Sequence, residues 1–408
     1  MNKEPISYNI KQDKYNLSLY SFISETLLLL FIVSLVGFVN VRPFFTIVQW
    51  LFISVFLFRF IWKKYRLSGY TLWSVLVVLF AFGSIFSANE QSYTFSKSIS
   101  FMQPLIFCNL IIPFMLESQK NYQFVLQSII LSAIVLLIRL WLNTPLYLWG
   151  TTRVGETIGY NPNTIGLILS LSSVLSYYLF NKKRKNVYLF AMVLLGFASL
   201  FSGSRKAFAI LIIGVFLLSI VSASNKKQFF ISIIIGVLLL SLLLYLTLKW
   251  EPLYQVIGKR VESLVQGLDG GTTDSSTSTR FDMISTGLQY FIQKPFFGYG
   301  LGNYRFISGY NTYSHNNYTE LLVSFGLFGT VLYYSMHLYI LGKGINLIAE
   351  KGLRQNSAVL SCIVVGIIML MDLGVVSYYD EFTQLLICIA YVSIQYAKVT
   401  SKGLETRI

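Results

Sequence analysis

The chain has 408 residues, of which 55% are hydrophobic and 16% aromatic, whereas only 12% are charged. A water-soluble core cannot hold that much apolar surface with so few polar interruptions, so the composition excludes a soluble globular protein. The formal net charge of +15 lies in short clusters between apolar runs. This pattern is typical of membrane topology, and we therefore expect no nucleic-acid partner.

The apolar runs predict about 12 transmembrane helices, since about 20 apolar residues cross a hydrocarbon core. The predicted spans are residues 22–39, 44–61, 70–87, 99–116, 123–142, 162–180, 187–202, 207–223, 229–249, 318–342, 357–376 and 381–397. Because a spanning backbone must satisfy its own hydrogen bonds, we predict an all-α, polytopic integral membrane protein.

The basic clusters orient these spans. Lys and Arg concentrate at 63–66, 182–185, 226–227 and 343–354, which all fall on one side when the N-terminus is cytoplasmic. The predicted organisation is a cytoplasmic tail at 1–21, transmembrane helices 1–9 at 22–249, a large extracytoplasmic loop at 250–317, transmembrane helices 10–12 at 318–397 and a cytoplasmic tail at 398–408. The first residues lack a basic segment followed by a short apolar core, so we predict no signal peptide.

The large loop contains two different kinds of sequence, one after the other. Its middle, GLDGGTTDSSTSTR, is rich in Gly, Ser and Thr and is predicted to be mobile. Phe281, Ile284, Leu288, Phe291 and Ile292 then recur at helical spacing. They predict a short amphipathic helix that lies on the membrane surface or on the helix bundle.

The outer side carries more arginine than topology requires. The outer side holds Arg153, Arg205, Arg280 and Arg305, and Lys206 directly follows Arg205. The guanidinium group offers a planar fork of donors that matches phosphate oxygens. A site for a lipid pyrophosphate at the outer leaflet would use such groups.

Three spans that start at the outer side carry helix-capping signals. Asn161 precedes Pro162, Ser204 precedes a span, and Asn317 lies three residues before Glu320 in an arrangement that resembles a capping box. Helix N-termini attract anions, so converging starts would form a pocket for negative charge; the alternative is that they are only good caps. The predicted substrate-binding residues are Arg153, Asn161, Asn163, Ser204, Arg305, Asn316, Asn317 and Glu320.

His315 is one of two histidines in the chain. Nearby arginines and a helix N-terminus disfavour its protonation, and a neutral imidazole is a competent general base near neutral pH. Glu320 is open to three interpretations: it orients His315, is the base itself, or caps the helix. The competing interpretation of His315 is a structural role.

Two other groups of residues have a functional and a structural interpretation. Asp372, Asp380 and Glu381 either bind a metal or sugar hydroxyls or lie in a solvated loop, and the solvated loop is favoured. Tyr299, Tyr304, Tyr310 and Tyr313 either stack on sugar rings or form an interfacial aromatic belt. The sequence GYGLG at 298–302 follows no predicted strand and indicates a tight turn rather than a phosphate loop.

Three segments resemble the O-antigen ligase/polymerase superfamily when they are taken together. They are GYNPNTIGL at 159–167, SGSRKAF at 202–208, and the stretch from RFDMISTG to SFGLFGT at 280–330. The chain looks like a Wzy-type polymerase of a capsular polysaccharide, exopolysaccharide or O-antigen. The resemblance covers residues 153–330, and the other spans match only in being apolar.

The resemblance implies a GT-C-like membrane glycosyltransferase that works without a metal or other cofactor. Its partners would be an undecaprenyl-pyrophosphate-linked oligosaccharide donor, a second lipid-linked repeat unit as acceptor, membrane lipid and a chain-length regulator. The family's mid-chain arginine corresponds to Arg205, its loop arginine to Arg280 and its loop histidine to His315; these three are the predicted catalytic residues. The expected location is the bacterial cytoplasmic membrane.

Three functions are open at this point. A polymerase joins repeat units, whereas a ligase moves finished polymer to a final acceptor, and both would use the same site. A flippase or other transporter usually buries charged groups at mid-membrane. The spans here are almost free of charged residues, which favours chemistry at the outer face.

Overall fold

The computed structural model describes residues 7–38, 41–221, 226–268, 275–351 and 356–405. Several predictions extend beyond these residues, among them the ends of the spans at 22–39 and 207–223 and of the basic cluster at 343–354. The first six residues of the N-terminal tail, the centre of the Gly/Ser/Thr-rich segment at 269–274 and the last three residues of the C-terminal tail lie outside the described parts.

The described chain is built from helices and contains no strand. Its helices are α1 (Ser7–Ile32), α2 (Arg42–Trp62), α3 (Gly69–Gly83), α4 (Gln91–Glu117), α5 (Gln119–Asn143), α6 (Pro162–Lys183), α7 (Asn186–Leu200), α8 (Arg205–Val221), α9 (Lys226–Lys249), α10 (Glu251–Leu253), α11 (Lys259–Leu268), α12 (Ser275–Gln293), α13 (Tyr304–Ile307), α14 (Asn317–Lys351), α15 (Asn356–Met371) and α16 (Glu381–Glu405). Each of the twelve predicted spans overlaps one of the longer helices. Within the described residues, eight helices are long and apolar enough to cross a membrane. The predicted all-α polytopic membrane fold is confirmed.

Helix α6 lies at the centre of the bundle because small side chains let its neighbours approach. A Cβ on Gly166 would lie 2.3 Å from the hydroxyl of Ser202, and one on Gly214 of α8 would lie 2.5 Å from Val174 of α6. Small residues at such crossings are typical of membrane helix packing. The start of α6 is thereby held against the turn that begins α8.

The segments that contain the predicted site residues lie at one end of the bundle, which we call the loop face. Helices α6, α8, α14 and α16 begin there, and α5, α7, α9 and α15 end there. The long segment between α9 and α14 covers this end. The predicted cytoplasmic cluster at 63–66 follows the other end of α2, and the cluster at 182–185 lies at the other end of α6.

Helix α14 is broken at Gly326, and the preceding loop repairs the break. Gly326 has φ +65° and ψ −167°, a conformation that essentially only glycine adopts. The amides freed beyond the break bind loop carbonyls: Leu327 N donates to Pro295 O at 2.7 Å and Phe328 N to Phe296 O at 3.3 Å.

The carbonyls before the break are satisfied in the same way. Tyr299 N donates to Val323 O at 2.8 Å, and Gly300 N donates to Ser324 O at 3.0 Å. A Cβ on Gly298 would lie 2.5 Å from Val323 O, so the loop backbone can approach only as glycine. The GYGLG sequence is therefore more than a tight turn, because it fastens the loop to the first turns of α14.

The predicted amphipathic helix is α12. Its inner face packs on the start of α14, since Met283 joins a buried cluster with Val323 and a Cβ on Gly287 would lie 2.2 Å from Thr319. Phe281, Leu288 and Ile292 on its other face are exposed. The helix thus packs on the bundle, and its exposed apolar face stays available for the predicted membrane contact.

Candidate active site

Two joined cavities open at the loop face. The larger, which we call the central cavity, has a volume of about 420 Å³ and is lined by residues of α2, α4, α6, α8, α12, α15, α16 and loops at their ends. The smaller, which we call the basic cavity, has a volume of about 180 Å³. Asn163, Lys206 and Arg280 line both, so the two form one continuous space.

The basic cavity is a concentration of positive charge. Its lining consists of Arg153, Asn163, Ser204, Arg205, Lys206, Arg260 and Arg280. Five of these seven side chains are cationic, and no carboxylate is among them. Such an arrangement favours an anion, because closely placed cations repel one another unless negative charge lies among them.

The helix starts at the cavity are capped as predicted for α6 and α8. Asn161 accepts a bond from Asn163 N at 2.9 Å, with Pro162 at the first helical position. Ser204 Oγ accepts from Ala207 N at 3.3 Å. Both N-termini point their partial positive charge at the cavity wall that Asn163 and Lys206 share.

Arg153 fixes the geometry of the basic cavity. Its Nε donates to Ser202 O at 2.9 Å and one terminal nitrogen donates to Asn163 Oδ1 at 2.9 Å. Burial, and then the positive charge of Arg260, lower the pKa of Arg153. The side chain therefore links the turn before α8 to the start of α6 while adding charge to the wall.

Arg205 and Arg260 brace each other through backbone oxygens. Arg205 donates to Arg260 O at 3.3 Å, and Arg260 donates to Gly203 O at 3.5 Å. Sequence reasoning did not select Arg260. The available signal was the same excess of outer-side arginine that selected its neighbours, and only the fold shows that Arg260 joins the cluster.

Arg280 and Lys206 form the boundary between the two cavities. Lys206 Nζ donates to Gly374 O. The guanidinium group of Arg280 lines both cavities and carries five hydrogen-bond donors. Arg280 is therefore placed to contact a ligand that reaches from one cavity into the other.

His315 lies on the wall of the central cavity in a strained conformation. Its φ is +56°, a left-handed backbone conformation that is uncommon for residues other than glycine. Its ring packs on Tyr313 with the centroids 4.4 Å apart. Burial, and then the positive charges of Arg280 and Lys206, lower the pKa of His315 from its usual 6.5. The imidazole is thus predominantly neutral at pH 7.

The backbone next to His315 is held on both sides. Glu320 is buried and accepts a bond from Ser314 N at 2.8 Å. Asn316 is the residue that caps α14, since its Oδ1 accepts from Thr319 N at 2.9 Å. The prediction that Asn317 is the cap was therefore wrong by one residue. Glu320 ties down the loop and does not line either cavity.

Asn317 instead anchors α14 to the loop after α15. Its Oδ1 accepts from Ser377 N at 3.0 Å and Tyr378 N at 3.1 Å. Its Nδ2 donates to Asp372 Oδ2 at 3.2 Å and to the hydroxyl of Tyr334 at 2.9 Å. Asn316 reaches the same loop through Leu373 O at 3.1 Å. Asn316 and Asn317 therefore position His315 and are too buried to bind substrate.

The three acidic residues do not form the solvated loop that the sequence favoured. Asp372 is fully buried and accepts bonds from Asn317, Tyr334 and Ser377. Asp380 and Glu381 line the central cavity together with Tyr160 and Arg42. Within the described residues, no group of three or more His, Cys, Asp or Glu side chains is placed to hold a metal ion.

The remaining predicted residues fall into two groups, those that line a cavity and those that lie outside both cavities. Arg305 lies outside both cavities, where it donates to Tyr93 at 3.0 Å and to Asn311 O at 2.9 Å. Tyr313 lines the central cavity, whereas Tyr299 and Tyr304 are buried in the loop's own core. The site thus unites Arg153, Asn161, Asn163, Ser204, Arg205, Arg280 and His315 and leaves Arg305, Asn316, Asn317 and Glu320 in supporting positions.

Residues 190–334 match the family model described as O-antigen ligase. This range begins in α7, ends in α14 and includes Arg205, Lys206, Arg260, Arg280 and His315. The chain matches no curated protein.

Proposed function

We propose that the chain, whose residues 190–334 match the O-antigen ligase family model, is a polysaccharide polymerase of the O-antigen ligase/polymerase superfamily. The proposed enzyme joins undecaprenyl-pyrophosphate-linked oligosaccharide repeat units at the outer face of the cytoplasmic membrane. It is a GT-C-type glycosyltransferase that uses no metal ion. Both termini then lie in the cytoplasm and the loop face lies outside.

The observation that carries the proposal is the continuity of the basic cavity with the wall that holds His315. Arg280 and Lys206 belong to both cavities, and Tyr313 and His315 lie on the far side of that boundary. A donor whose pyrophosphate occupies the basic cavity therefore places its first sugar in the central cavity. The reacting carbon of that sugar is then within the space that His315 borders.

The reaction exchanges one bond for another. The acceptor hydroxyl oxygen forms a bond to the anomeric carbon of the donor sugar, and the bond from that carbon to the pyrophosphate oxygen breaks. The bonding pair leaves with the pyrophosphate, so negative charge grows there and the cationic side chains stabilise it. The proton of the acceptor hydroxyl passes to an imidazole nitrogen of His315.

The lowered pKa of His315 suits this role, because a general base must be unprotonated before the reaction. The same cations that bind the leaving group keep the imidazole neutral. The left-handed backbone of His315 carries a cost of order 1–3 kcal/mol, and the bonds at Ser314, Asn316 and Asn317 maintain it.

A ligase is the second candidate, since the family model carries that description and both reactions release the same leaving group. The acidic end of the central cavity, with Asp380 and Glu381, offers hydrogen-bond acceptors to hydroxyls of either acceptor. A flippase is less well supported, because the cations gather in cavities at one end of the bundle.

The experiment that tests the proposal measures the size distribution of lipid-linked and surface glycan in cells. Cells that produce the wild-type protein, His315→Ala or Arg305→Lys at matched membrane levels are compared. We expect single repeat units on lipid and no ladder with His315→Ala, and a normal ladder with Arg305→Lys. Long chains that accumulate on lipid in the His315→Ala cells would identify a ligase. A normal ladder would exclude His315 as the base.

A further inference from the structure

Lys206 makes a hydrogen bond that links the basic cavity to a wall of the central cavity. It is the second residue of α8 and lines both cavities. Its Nζ donates to Gly374 O, which lies in the loop after α15. The contact is close, because a Cβ on Gly374 would lie 2.7 Å from both Cε and Nζ of Lys206. The side chain therefore touches a part of the chain that lies outside the basic cavity.

The loop that this bond reaches has fixed ends and a short middle, residues 374–376, which we call the strap. The buried Asp372 before the strap and Ser377 after it are both bound to Asn317. At the start of the strap, the amides of residues 374 and 375 turn back onto Met371 O. All three strap residues line the central cavity. The bond from α8 thus holds the strap at a position that shapes this cavity.

The electrostatic surroundings of Lys206 favour an exchange of its partner. Burial, and then the positive charges of Arg280 and Arg205, lower the pKa of its amine to about 8. A carbonyl oxygen offsets this repulsion only weakly, whereas a phosphate oxygen carries a full negative charge. An ammonium group accordingly binds an anionic oxygen more strongly than a carbonyl oxygen. An anion in the basic cavity therefore competes with Gly374 O for the amine.

We propose that Lys206 is a positioning residue that couples the two cavities. Pyrophosphate in the basic cavity draws Nζ away from Gly374 O, and the released strap widens the central cavity for the acceptor sugar. The order of binding, donor before acceptor, rests on the proposed function, whereas the exchange of partners by Lys206 does not. The coupling is reciprocal, so an acceptor that favours the released strap also strengthens pyrophosphate binding.

Thiol labelling of the strap in the purified full-length protein tests the proposal. Val375→Cys places a thiol at a half-buried position of the strap. Its rate of reaction with a maleimide is measured with and without inorganic pyrophosphate at equal ionic strength. We expect pyrophosphate to raise the rate about fivefold, the lower end of allosteric couplings. The protein without the added thiol gives the background, since Cys108, Cys362 and Cys388 are buried or half-buried.

Two further substitutions in the Val375→Cys protein separate the contact from the charge. With Lys206→Met, the strap should react fast without pyrophosphate, and pyrophosphate should leave the rate unchanged. Gly374→Ala places a methyl group where the amine lies but keeps the charge. Its strap should also react fast, while pyrophosphate binding, measured by calorimetry, persists. Asn89→Cys, on the exposed turn before α4, is the control and should react at one rate in every condition.

Three results would overturn the coupling. They are pyrophosphate that binds without changing the labelling rate of Val375→Cys, slow labelling in both Lys206→Met and Gly374→Ala proteins, and no pyrophosphate binding at all.

The outcomes also separate this inference from the proposed function. If the strap responds to pyrophosphate but cells that lack the protein keep a normal glycan ladder, the coupling is supported and the polymerase proposal fails. If the protein makes the ladder and the strap does not respond, the polymerase proposal stands and the coupling fails.

Discussion

Asn317 and Asp372 join the first turn of α14 to the loop after α15, with Asn317 Nδ2 lying 3.2 Å from Asp372 Oδ2. Both residues are fully buried. Lys206 binds Gly374 O in the same loop. This one pair therefore couples the position of His315 to that of the cationic wall of the active site.

Replacing Asn317 with alanine should destabilise the protein and impair the site. The change removes the acceptor of two backbone amides and a donor to Asp372, and each unsatisfied buried group costs about 1–3 kcal/mol. We expect a lower thermal midpoint for the purified protein and a shortened glycan ladder in cells. Asn143→Ala is the control, since Asn143 is exposed and its side chain makes one bond, to Arg139 O. Equal midpoints for the two variants would contradict the anchoring role.

Gly326→Ala should disrupt the junction between the loop and α14. A Cβ at this position would lie 2.3 Å from the carbonyl carbon of Phe296, and the backbone conformation is nearly exclusive to glycine. We expect the free energy of unfolding to fall by at least about 1–3 kcal/mol, as measured by thermal unfolding. Gly342→Ala in the same helix meets no atom within 4 Å and should be neutral or stabilising. A fully stable Gly326→Ala protein would show that the break is not required.

The activity should fall on acidification as His315 becomes protonated. Since burial, Arg280 and Lys206 lower the pKa of His315, the acid limb of kcat/KM should lie below pH 6.5. Lys206→Met removes one repelling charge, which stabilises the imidazolium, so the acid limb should move to higher pH. The measurement is the rate of glycan transfer in vitro between pH 5 and 8 for both proteins. An unmoved limb in Lys206→Met would assign it to another group.

Arg280 and Arg305 should respond differently to the same substitution. Arg280→Lys keeps the charge but loses the planar fork, and loss of an oriented donor to developing charge lowers kcat about 10²–10³-fold. Arg305→Lys should be nearly silent, because Arg305 faces Tyr93 and Asn311 outside both cavities. In vitro transfer rates at saturating donor would measure the difference. Comparable losses in the two variants would place the anion site elsewhere.

The sequence by itself determined the helices, the capping of two of their starts and the excess of cations near them. These properties are local: apolar run length sets the spans, and Asn161 and Ser204 cap helices that start one residue later. The identities of Arg205, Arg280 and His315 were also available, since they lie in the segments that resemble the family.

Only the tertiary structure decided which polar residues face the cavities. Arg260 joins the cluster through Arg205, and Asp372 is buried through contacts with Asn317, 55 residues away in the chain. Arg305 has the same residue type as Arg280 but points to Tyr93. Periodicity and capping report neighbours within one or two helical turns, whereas the environment of a buried charge depends on several helices that meet only in the folded bundle.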